Sequence, residues 1–190
     1  MTAMFTQDWS AQRNYWPDMF ADLNLVGKPD LRFLEIGCYE GKTTLWLLEN
    51  VLTDQSSTIT VVDTFEGSME FEQLGIEGNS FQRFLTNTAD YAEQVVVRTG
   101  RSDEILRTLH GVYDFVYIDG SHLAADVLSD AVLAWPLLAQ GGMMVFDDYE
   151  WQIDLPEWAK PQLGIDAFAS AYQNQLAVRF SDVQFVVEKL

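Results

Sequence analysis

Apolar residues form short continuous runs along the chain, and these runs alternate with stretches of helical periodicity. The runs are rich in β-branched residues and uniformly apolar, which is typical of strands covered on both faces of a parallel sheet. Seven segments are predicted as strands: 31–36, 58–62, 94–98, 113–118, 143–146, 177–180 and 183–188. Five helices are predicted between them: 43–51, 80–91, 102–109, 122–138 and 166–176.

The order of these segments predicts an α/β fold, with a doubly wound, mostly parallel and Rossmann-like sheet of seven strands. The last two predicted strands are joined only by about Ser181 and Asp182. Such a link is too short for a parallel crossover, which needs a dozen or more residues. We therefore expect an antiparallel hairpin, in which the last strand runs against the rest of the sheet.

The N-terminal region has its own helical pattern. Met19, Phe20 and Leu23 have helical spacing after Pro17, and the glycine and proline of residues 27–30 end the pattern. We expect residues 1–28 to form a helical cap. This cap would pack on the main domain, residues 29–190, or cover its ligand cleft.

Composition and charge narrow the possible partners. The 190 residues carry 29 acidic and 11 basic side chains, a formal net charge of −18, which disfavours nucleic acid and anionic lipid as partners. No apolar run approaches the roughly 20 residues that span a membrane, and no secretory leader pattern is present. The single cysteine, Cys38, allows no internal disulfide. These features predict a cytoplasmic protein that binds neither nucleic acid nor membrane.

The first predicted strand ends in Glu35 and passes through Gly37 and Gly41 into a helix. Glycines allow a sharp turn and close approach of a ligand, and the helix directs free N–H groups back at the turn. In open α/β sheets, ligands bind at the carboxyl ends of the strands. The same edge should carry Asp63, the segment 100–102, Asp119, Asp147 and Asp148.

Three ligand classes have features in common with this turn. A phosphate loop needs four residues between its glycines before Lys-Ser/Thr, and only three separate Gly37 from Gly41. The dinucleotide spacing Gly-x-Gly-x-x-Gly also fails, although Asp63 follows at about 20 residues. S-adenosylmethionine has no phosphate and needs one carboxylate near its amino group and another for its ribose hydroxyls. Glu35, the glycine turn and Asp63 fit that third ligand best.

Four stretches carry a family resemblance. They are residues 34–41 (LEIGCYEG), 61–68 (VVDTFEGS), 115–122 (FVYIDGSH) and 141–149 (GGMMVFDDY). Together they resemble the class I S-adenosylmethionine-dependent methyltransferases, and within that class the small O-methyltransferases related to the macrocin O-methyltransferase group. The resemblance covers residues 31–190. Tyr39 is a departure, because many members have a third glycine at this position.

The resemblance implies a cofactor role for each matching position. The methionine part of the cofactor would lie on the first turn, the ribose on Asp63, the adenosine beside the next two residues, and the adenine near Arg101. Asp119 would lie where the methyl group faces its acceptor. The implied cofactor-binding residues are Glu35, Gly37, Cys38, Tyr39, Gly41, Asp63, Thr64, Phe65, Arg101, Ser102 and Asp119.

The resemblance also implies a metal site, because Asp119, Asp147 and Asp148 match the acids that bind a divalent cation in metal-dependent relatives. Three converging carboxylates would raise one another's pKa values, and Mg²⁺ would relieve this repulsion and orient a substrate hydroxyl. Alternatively, Asp147 and Asp148 only cap a turn. His122 is a candidate catalytic base together with Asp119, or else a structural residue at a helix start capped by Ser121.

The sequence thus predicts an enzyme that transfers a methyl group from S-adenosylmethionine to a hydroxyl of a small molecule, as a monomer or homodimer, with Mg²⁺ as a further cofactor. The loops 66–71 and 149–151 are expected beside the acceptor. Trp151 and Trp158 would either stack on a sugar or aromatic ring of the acceptor or only close the domain. Two alternatives stay open. One is a non-catalytic binding module on a methyltransferase fold, and the other is a nucleotide-dependent oxidoreductase.

Overall fold

A computed structural model describes residues 3–8, 13–67, 78–150 and 155–190 of the chain. Within these residues, the strands are β1 Arg32–Ile36, β2 Thr58–Asp63, β3 Val95–Thr99, β4 Tyr113–Ile118, β5 Leu138–Phe146, β6 Leu176–Ser181 and β7 Phe185–Lys189. The α-helices are α1 Trp16–Asp22, α2 Lys42–Asn50, α3 Ser80–Asn87, α4 Ser102–Ile105, α5 Ala124–Ala134 and α6 Pro161–Ala171.

The seven strands form one sheet in the order β3-β2-β1-β4-β5-β7-β6. Strands β1 to β5 pair in parallel, whereas β7 is antiparallel to both β5 and β6. The predicted α/β fold with an antiparallel last strand is confirmed. The short β6–β7 connection forces the reversal, and β7 enters the sheet between β5 and β6.

The strand register aligns the carboxyl ends of the neighbouring strands β2, β1, β4 and β5. Ile36 lies opposite Val62 on one side and Ile118 on the other, and Ile118 lies opposite Phe146. Beyond the strand ends, the N–H of Asp119 donates to the carbonyl of Ile36 at 2.8 Å, and that of Asp147 to the carbonyl of Ile118 at 3.1 Å. The residues that follow β1, β4 and β5 therefore share one rim.

Two hydrophobic clusters cover the two faces of the sheet. Alternate residues of a strand point to opposite faces, so Leu34 and Phe33 join different clusters. The Leu34 cluster includes the inner faces of α5 and α6. The Phe33 cluster is completed by α2 and by Trp16 and Phe20 of α1, both of which are fully buried. Because Glu35 alternates with Leu34, its side chain belongs on the α1 face of the sheet.

Several predicted boundaries differ from the observed ones. Helix α3 ends at Asn87, where the Thr88 hydroxyl donates to the carbonyl of Phe84 at 2.8 Å. Helix α5 covers 124–134 instead of 122–138, since Pro136 lies in a short 3₁₀ turn that follows it. Strand β5 begins earlier, at Leu138. Helix α6 begins at Pro161, not residue 166, because proline suits the first turn of a helix.

The predicted N-terminal helix is present as α1. Trp16 packs its ring edge-on against Tyr117 of β4, with ring centroids 5.1 Å apart. That residues 1–28 act as a separate cap stays a prediction. Among the described residues, no helix combines the length and apolar character needed to cross a membrane.

Candidate active site

The turn between β1 and α2 depends on a left-handed backbone. Gly37 and Gly41 both have φ of +81°, and Tyr39 between them has φ of +49°. A Cβ atom at Gly37 would lie 2.0 Å from the carbonyl oxygen of Asp119. Gly41 is the N-cap of α2, which begins at Lys42, one residue before the predicted start of this helix. The positive φ of Tyr39 gives a physical reason for the glycine that many family members have there.

Asp63 organises this turn from the end of β2. Its Oδ2 accepts hydrogen bonds from the backbone N–H groups of Cys38 at 2.7 Å and Tyr39 at 2.9 Å. Its Oδ1 accepts from the N–H of Phe65 at 2.7 Å. A carboxylate offers about four acceptor positions. In Asp63, three of these positions are occupied by backbone N–H groups. The sequence did not indicate this scaffolding role, and the thiol of Cys38 is buried in the turn.

Glu35 is a buried acid near the end of β1. Its side chain is fully buried, and its Oε2 accepts a hydrogen bond from the Thr44 hydroxyl at 2.5 Å. Its Oε1 is buried without a hydrogen-bond partner among the described residues. Burial raises the pKa of Glu35 to about 8, although the Thr44 hydrogen bond and the charge of Arg13 act to lower it. Such an oxygen suits a hydrogen-bond donor on a ligand.

An acid and imidazole cluster lies beyond β4 and β5. Asp119, His122 and Asp148 each offer one ligand atom, and these atoms lie within 4.8 Å of one another. His122 Nε2 is 3.1 Å from Asp148 Oδ2. Burial, together with the charges of Asp147 and Asp148, raises the pKa of Asp119 well above its usual value. This arrangement can hold a cation or a proton.

Asp147 has a different environment from the other two acids. Its Oδ1 accepts a hydrogen bond from Nε2 of Gln184, a fully buried side chain before β7. The Oε1 of Gln184 in turn accepts from the Tyr15 hydroxyl at 2.6 Å and the Trp16 indole N–H at 2.9 Å. The structure therefore groups His122, not Asp147, with Asp119 and Asp148. A metal-binding role for Asp147 stays a prediction.

A buried cation, Arg13, lies at this rim and was not among the predicted site residues. Arg13 is only 9% exposed, and its Cζ lies 5.6 Å from the ring centroid of Trp16. Its positive charge acts to lower the pKa values of Glu35, Asp119 and Asp147. No sequence signal marked it, because it precedes α1 and lies far from the strand ends in sequence.

Glu40 is a second residue that the sequence did not single out. Its carboxylate accepts from the backbone N–H of Thr6 at 2.7 Å, the Thr6 hydroxyl at 2.8 Å and Nη1 of Arg83 at 2.6 Å. Burial acts to raise its pKa, but these donors leave the pKa below its ordinary value. Lys42 also pairs with Asp8. The segment 3–8 therefore lies against the glycine turn.

A family model described as a methyltransferase domain matches residues 34–149, the interval that contains the glycine turn, Asp63 and the acid cluster. The chain belongs to this methyltransferase-domain family. The resemblance to class I S-adenosylmethionine-dependent methyltransferases is thus confirmed at the level of the family.

Individual relatives of this methyltransferase-domain chain are distant. O-methyltransferase hkm8 from Aspergillus hancockii is 30% identical over 117 residues, which are 62% of this chain and 42% of hkm8. The chain spans about half the length of the curated relatives that it matches.

Two solved structures share the fold of this methyltransferase-domain chain. An O-methyltransferase from Bacillus cereus, in complex with S-adenosylhomocysteine, is 16% identical with a TM-score of 0.67, covering 97% of this chain and 84% of that one. MycE from the mycinamycin biosynthetic pathway, in complex with Mg and S-adenosylhomocysteine, is 18% identical with a TM-score of 0.60, covering 98% and 51%.

The remaining predicted site residues of the methyltransferase domain lie at the β2 and β3 ends. Thr64 and Phe65 follow Asp63, and the Phe65 ring packs on Phe81 with centroids 4.8 Å apart. Arg101 is exposed and pairs with Asp103 at 3.1 Å. Ser102 begins α4.

The predicted acceptor loops are only partly described. Glu66 and Gly67 are exposed, whereas residues 68–71 and Trp151 lie outside the described residues. Trp158 is 75% exposed. Acceptor contacts for these loops remain predictions.

Proposed function

We propose that this chain transfers a methyl group from S-adenosylmethionine to a hydroxyl group of a small molecule. The observation that carries the proposal is the buried Oε1 of Glu35 next to the glycine turn, which has no hydrogen-bond partner in the described part of the chain. Membership of the methyltransferase-domain family and the similarity to hkm8 and the Bacillus cereus enzyme support the reaction class.

The residues of the turn fit this cofactor. Glu35 Oε1 would accept a hydrogen bond from the cofactor ammonium group, because it is a buried acceptor that receives no donor from residues 3–8, 13–67, 78–150 or 155–190. Asp63 retains about one acceptor position, at Oδ1, for a ribose hydroxyl. Asp63 would use this remaining position to accept a hydrogen bond from the ribose, and its role in holding the ribose stays a prediction.

The chemistry assigned to the protein is positioning and proton transfer. When bound, S-adenosylmethionine supplies an electrophilic methyl group on a sulfonium. The rim beyond β1 and β4 would align the acceptor oxygen with that methyl for an in-line displacement. His122 would take the proton of the acceptor hydroxyl, since Asp148 lies 3.1 Å from its Nε2 and stabilises the imidazolium.

A divalent cation would use the same cluster. Asp119, His122 and Asp148 supply two carboxylates and one imidazole within 4.8 Å, and MycE was solved with Mg. Mg²⁺ and Mn²⁺ favour oxygen ligands, which the two carboxylates would supply, whereas the imidazole would also suit a metal such as Fe²⁺ or Zn²⁺. A bound cation would lower the pKa of an acceptor hydroxyl. The metal-assisted and the histidine-base versions use His122 differently and are experimentally distinguishable.

The charge of the chain supports a small acceptor. A net charge of −18 opposes the binding of a polyanion, because nucleic acid recognition depends on lysine and arginine contacts to phosphates. A neutral or cationic small molecule that carries a hydroxyl meets no such barrier. The similarity to hkm8, an O-methyltransferase, supports the same choice.

Calorimetry of the purified chain with S-adenosylhomocysteine and with NAD tests the cofactor. We expect binding of the former only, and binding of NAD alone would overturn the proposal. Glu35→Gln should weaken S-adenosylhomocysteine binding about 10-fold or more. Glu49→Gln, an exposed acid at the other end of α2, is the control and should leave binding unchanged.

A screen of phenolic and sugar hydroxyls for S-adenosylhomocysteine release then tests the reaction. With an active acceptor, chelation followed by Mg²⁺ or Mn²⁺ separates the two versions of the mechanism. Loss of activity that either metal restores favours the cation. Activity that survives chelation but falls in His122→Asn favours the histidine base.

A further inference from the structure

The N-terminal segment brings a buried arginine to an otherwise acidic rim. Arg13 is 9% exposed, in a chain that has 29 acidic and 11 basic residues. Removing a guanidinium from water is costly unless an anion or several acceptors receive it. The buried guanidinium of Arg13 must therefore be stabilised by nearby acceptors or negative charges, and the acids of the rim supply some of that charge.

Contacts of Trp16 locate Arg13 relative to the sheet. The guanidinium carbon is 5.6 Å from the Trp16 ring, and that ring packs edge-on against Tyr117 at 5.1 Å. Tyr117 lies opposite Glu35 in the β1–β4 register and two residues before Asp119. Arg13 is thus on the α1 face, above the ends of β1 and β4. Consistent with this, its charge affects the pKa values of both Glu35 and Asp119.

We propose that Arg13 binds the carboxylate of the methionine part of S-adenosylmethionine. The inference rests on the proposed function and adds a residue to it. The methionine part is a zwitterion, so its recognition needs an acceptor for the ammonium and a donor for the carboxylate. Glu35 Oε1 is a buried acceptor to which no described residue donates a hydrogen bond. Without a nearby cation, the acids of the rim would repel the carboxylate.

Arginine suits this role better than lysine would. Its planar guanidinium can donate two parallel hydrogen bonds to one carboxylate, which fixes orientation as well as charge. The Trp16 ring restrains the guanidinium before the ligand arrives. Arg13 and Glu35 would then hold the two charged groups of the methionine part from the N-terminal segment and from β1.

A binding cycle tests the contact by removing one charge from each partner. Wild type, Arg13→Gln and Arg13→Lys are titrated with S-adenosylmethionine and with its decarboxylated form, which keeps the ammonium and lacks the carboxylate. Arg107→Gln, an exposed arginine after α4, is the control. We expect Arg13→Gln to lower affinity for S-adenosylmethionine about 10- to 100-fold and affinity for the decarboxylated ligand less than about threefold. Arg13→Lys should be intermediate.

Equal losses for both ligands, or no loss for either, would overturn the inference and leave Arg13 with a purely structural role. The wild-type protein alone gives an independent check if Arg13→Gln fails to fold. It should prefer S-adenosylmethionine over the decarboxylated ligand by about 10-fold or more, and equal affinities contradict the proposal. If the wild type binds neither ligand, the cofactor assignment itself fails.

Discussion

Gly37 and Asp119 are in backbone contact, since a Cβ atom at Gly37 would lie 2.0 Å from the Asp119 carbonyl oxygen. The turn after β1 and the end of β4 therefore fit together without space for a side chain. Residues proposed to hold the cofactor and residues proposed to act on the acceptor are therefore joined by direct backbone packing.

The first prediction concerns this contact. Gly37→Ala should destabilise the fold by roughly 3 kcal/mol or more, since it combines a positive φ with a clash against backbone. Gly141→Ala is the matched control. Gly141 has φ of +76°, yet a Cβ there meets nothing within 4 Å. Chemical denaturation should show a clearly larger loss of stability for Gly37→Ala than for Gly141→Ala. Equal losses would show that the positive φ alone, and not the clash with Asp119, causes the destabilisation.

The second prediction concerns the carboxylate that holds the turn. Asp63→Asn replaces one acceptor oxygen by an NH₂ group, so it cannot receive all three backbone N–H groups. We expect a loss of about 1–3 kcal/mol in the free energy of unfolding and at least about a 10-fold loss in S-adenosylhomocysteine affinity. Asp54→Asn alters a similar cap on Ser56, away from the site, and should leave the affinity unchanged.

The third prediction uses the pKa of Glu35. Burial raises it to about 8 in the free protein, so the carboxyl is mostly protonated at pH 7. A bound ammonium would favour the carboxylate and lower this pKa, so binding should release a proton. Affinity for S-adenosylhomocysteine should therefore rise between about pH 6 and pH 8. Calorimetry in buffers of different ionisation enthalpy measures the proton, and Glu35→Gln should abolish this dependence.

The raised pKa of Glu35 also predicts how stability depends on pH. Ligand affinity should rise with pH, whereas the stability of the free protein should fall. The folded state holds the Glu35 proton more tightly than the unfolded state, whose pKa is near 4.5. Glu35 should therefore reduce stability progressively as pH rises from about 4.5 to 8. The difference in the free energy of unfolding between wild type and Glu35→Gln, measured at each pH, isolates the contribution of Glu35 from the repulsion among the many other acids. A difference that does not change with pH would contradict the raised pKa.

The fourth prediction concerns Gln184. Gln184→Met removes the acceptor for the Trp16 indole N–H and the donor to Asp147. Each of these two buried groups then loses its hydrogen bond to residue 184. We expect a loss of about 2–4 kcal/mol, because unmade buried hydrogen bonds are costly. Adding Trp16→Phe should cost less in this background than in wild type. Gln82→Met, on the exposed face of α3, should be nearly neutral.

The sheet and its acidic rim were predictable because their signals are local. Apolar runs give the strands, and Asp63, Asp119 and Asp147 each stand at a run's end. Helix boundaries were less accurate, since Pro161 was not recognised as a helix start.

Long-range polar contacts could not be predicted. Gln184 receives hydrogen bonds from Tyr15 and Trp16 across almost the whole chain, and no periodicity links such distant positions. The same holds for Glu40, an acid of the glycine turn that binds the distant residues Thr6 and Arg83. Local patterns state where strands end, but not which side chain from a distant segment lies above them.

The position of β7 has a consequence for local opening of the protein. Among the described strands, β6 pairs only with β7, and β7 alone joins it to β5. We therefore expect the β6–β7 hairpin to detach as a unit in local opening, and to carry Gln184 with it. Such an opening would release Asp147 and the start of α1 together. The amides of β7 and α1 should consequently exchange with solvent hydrogen through one shared event, although they lie at opposite ends of the sequence.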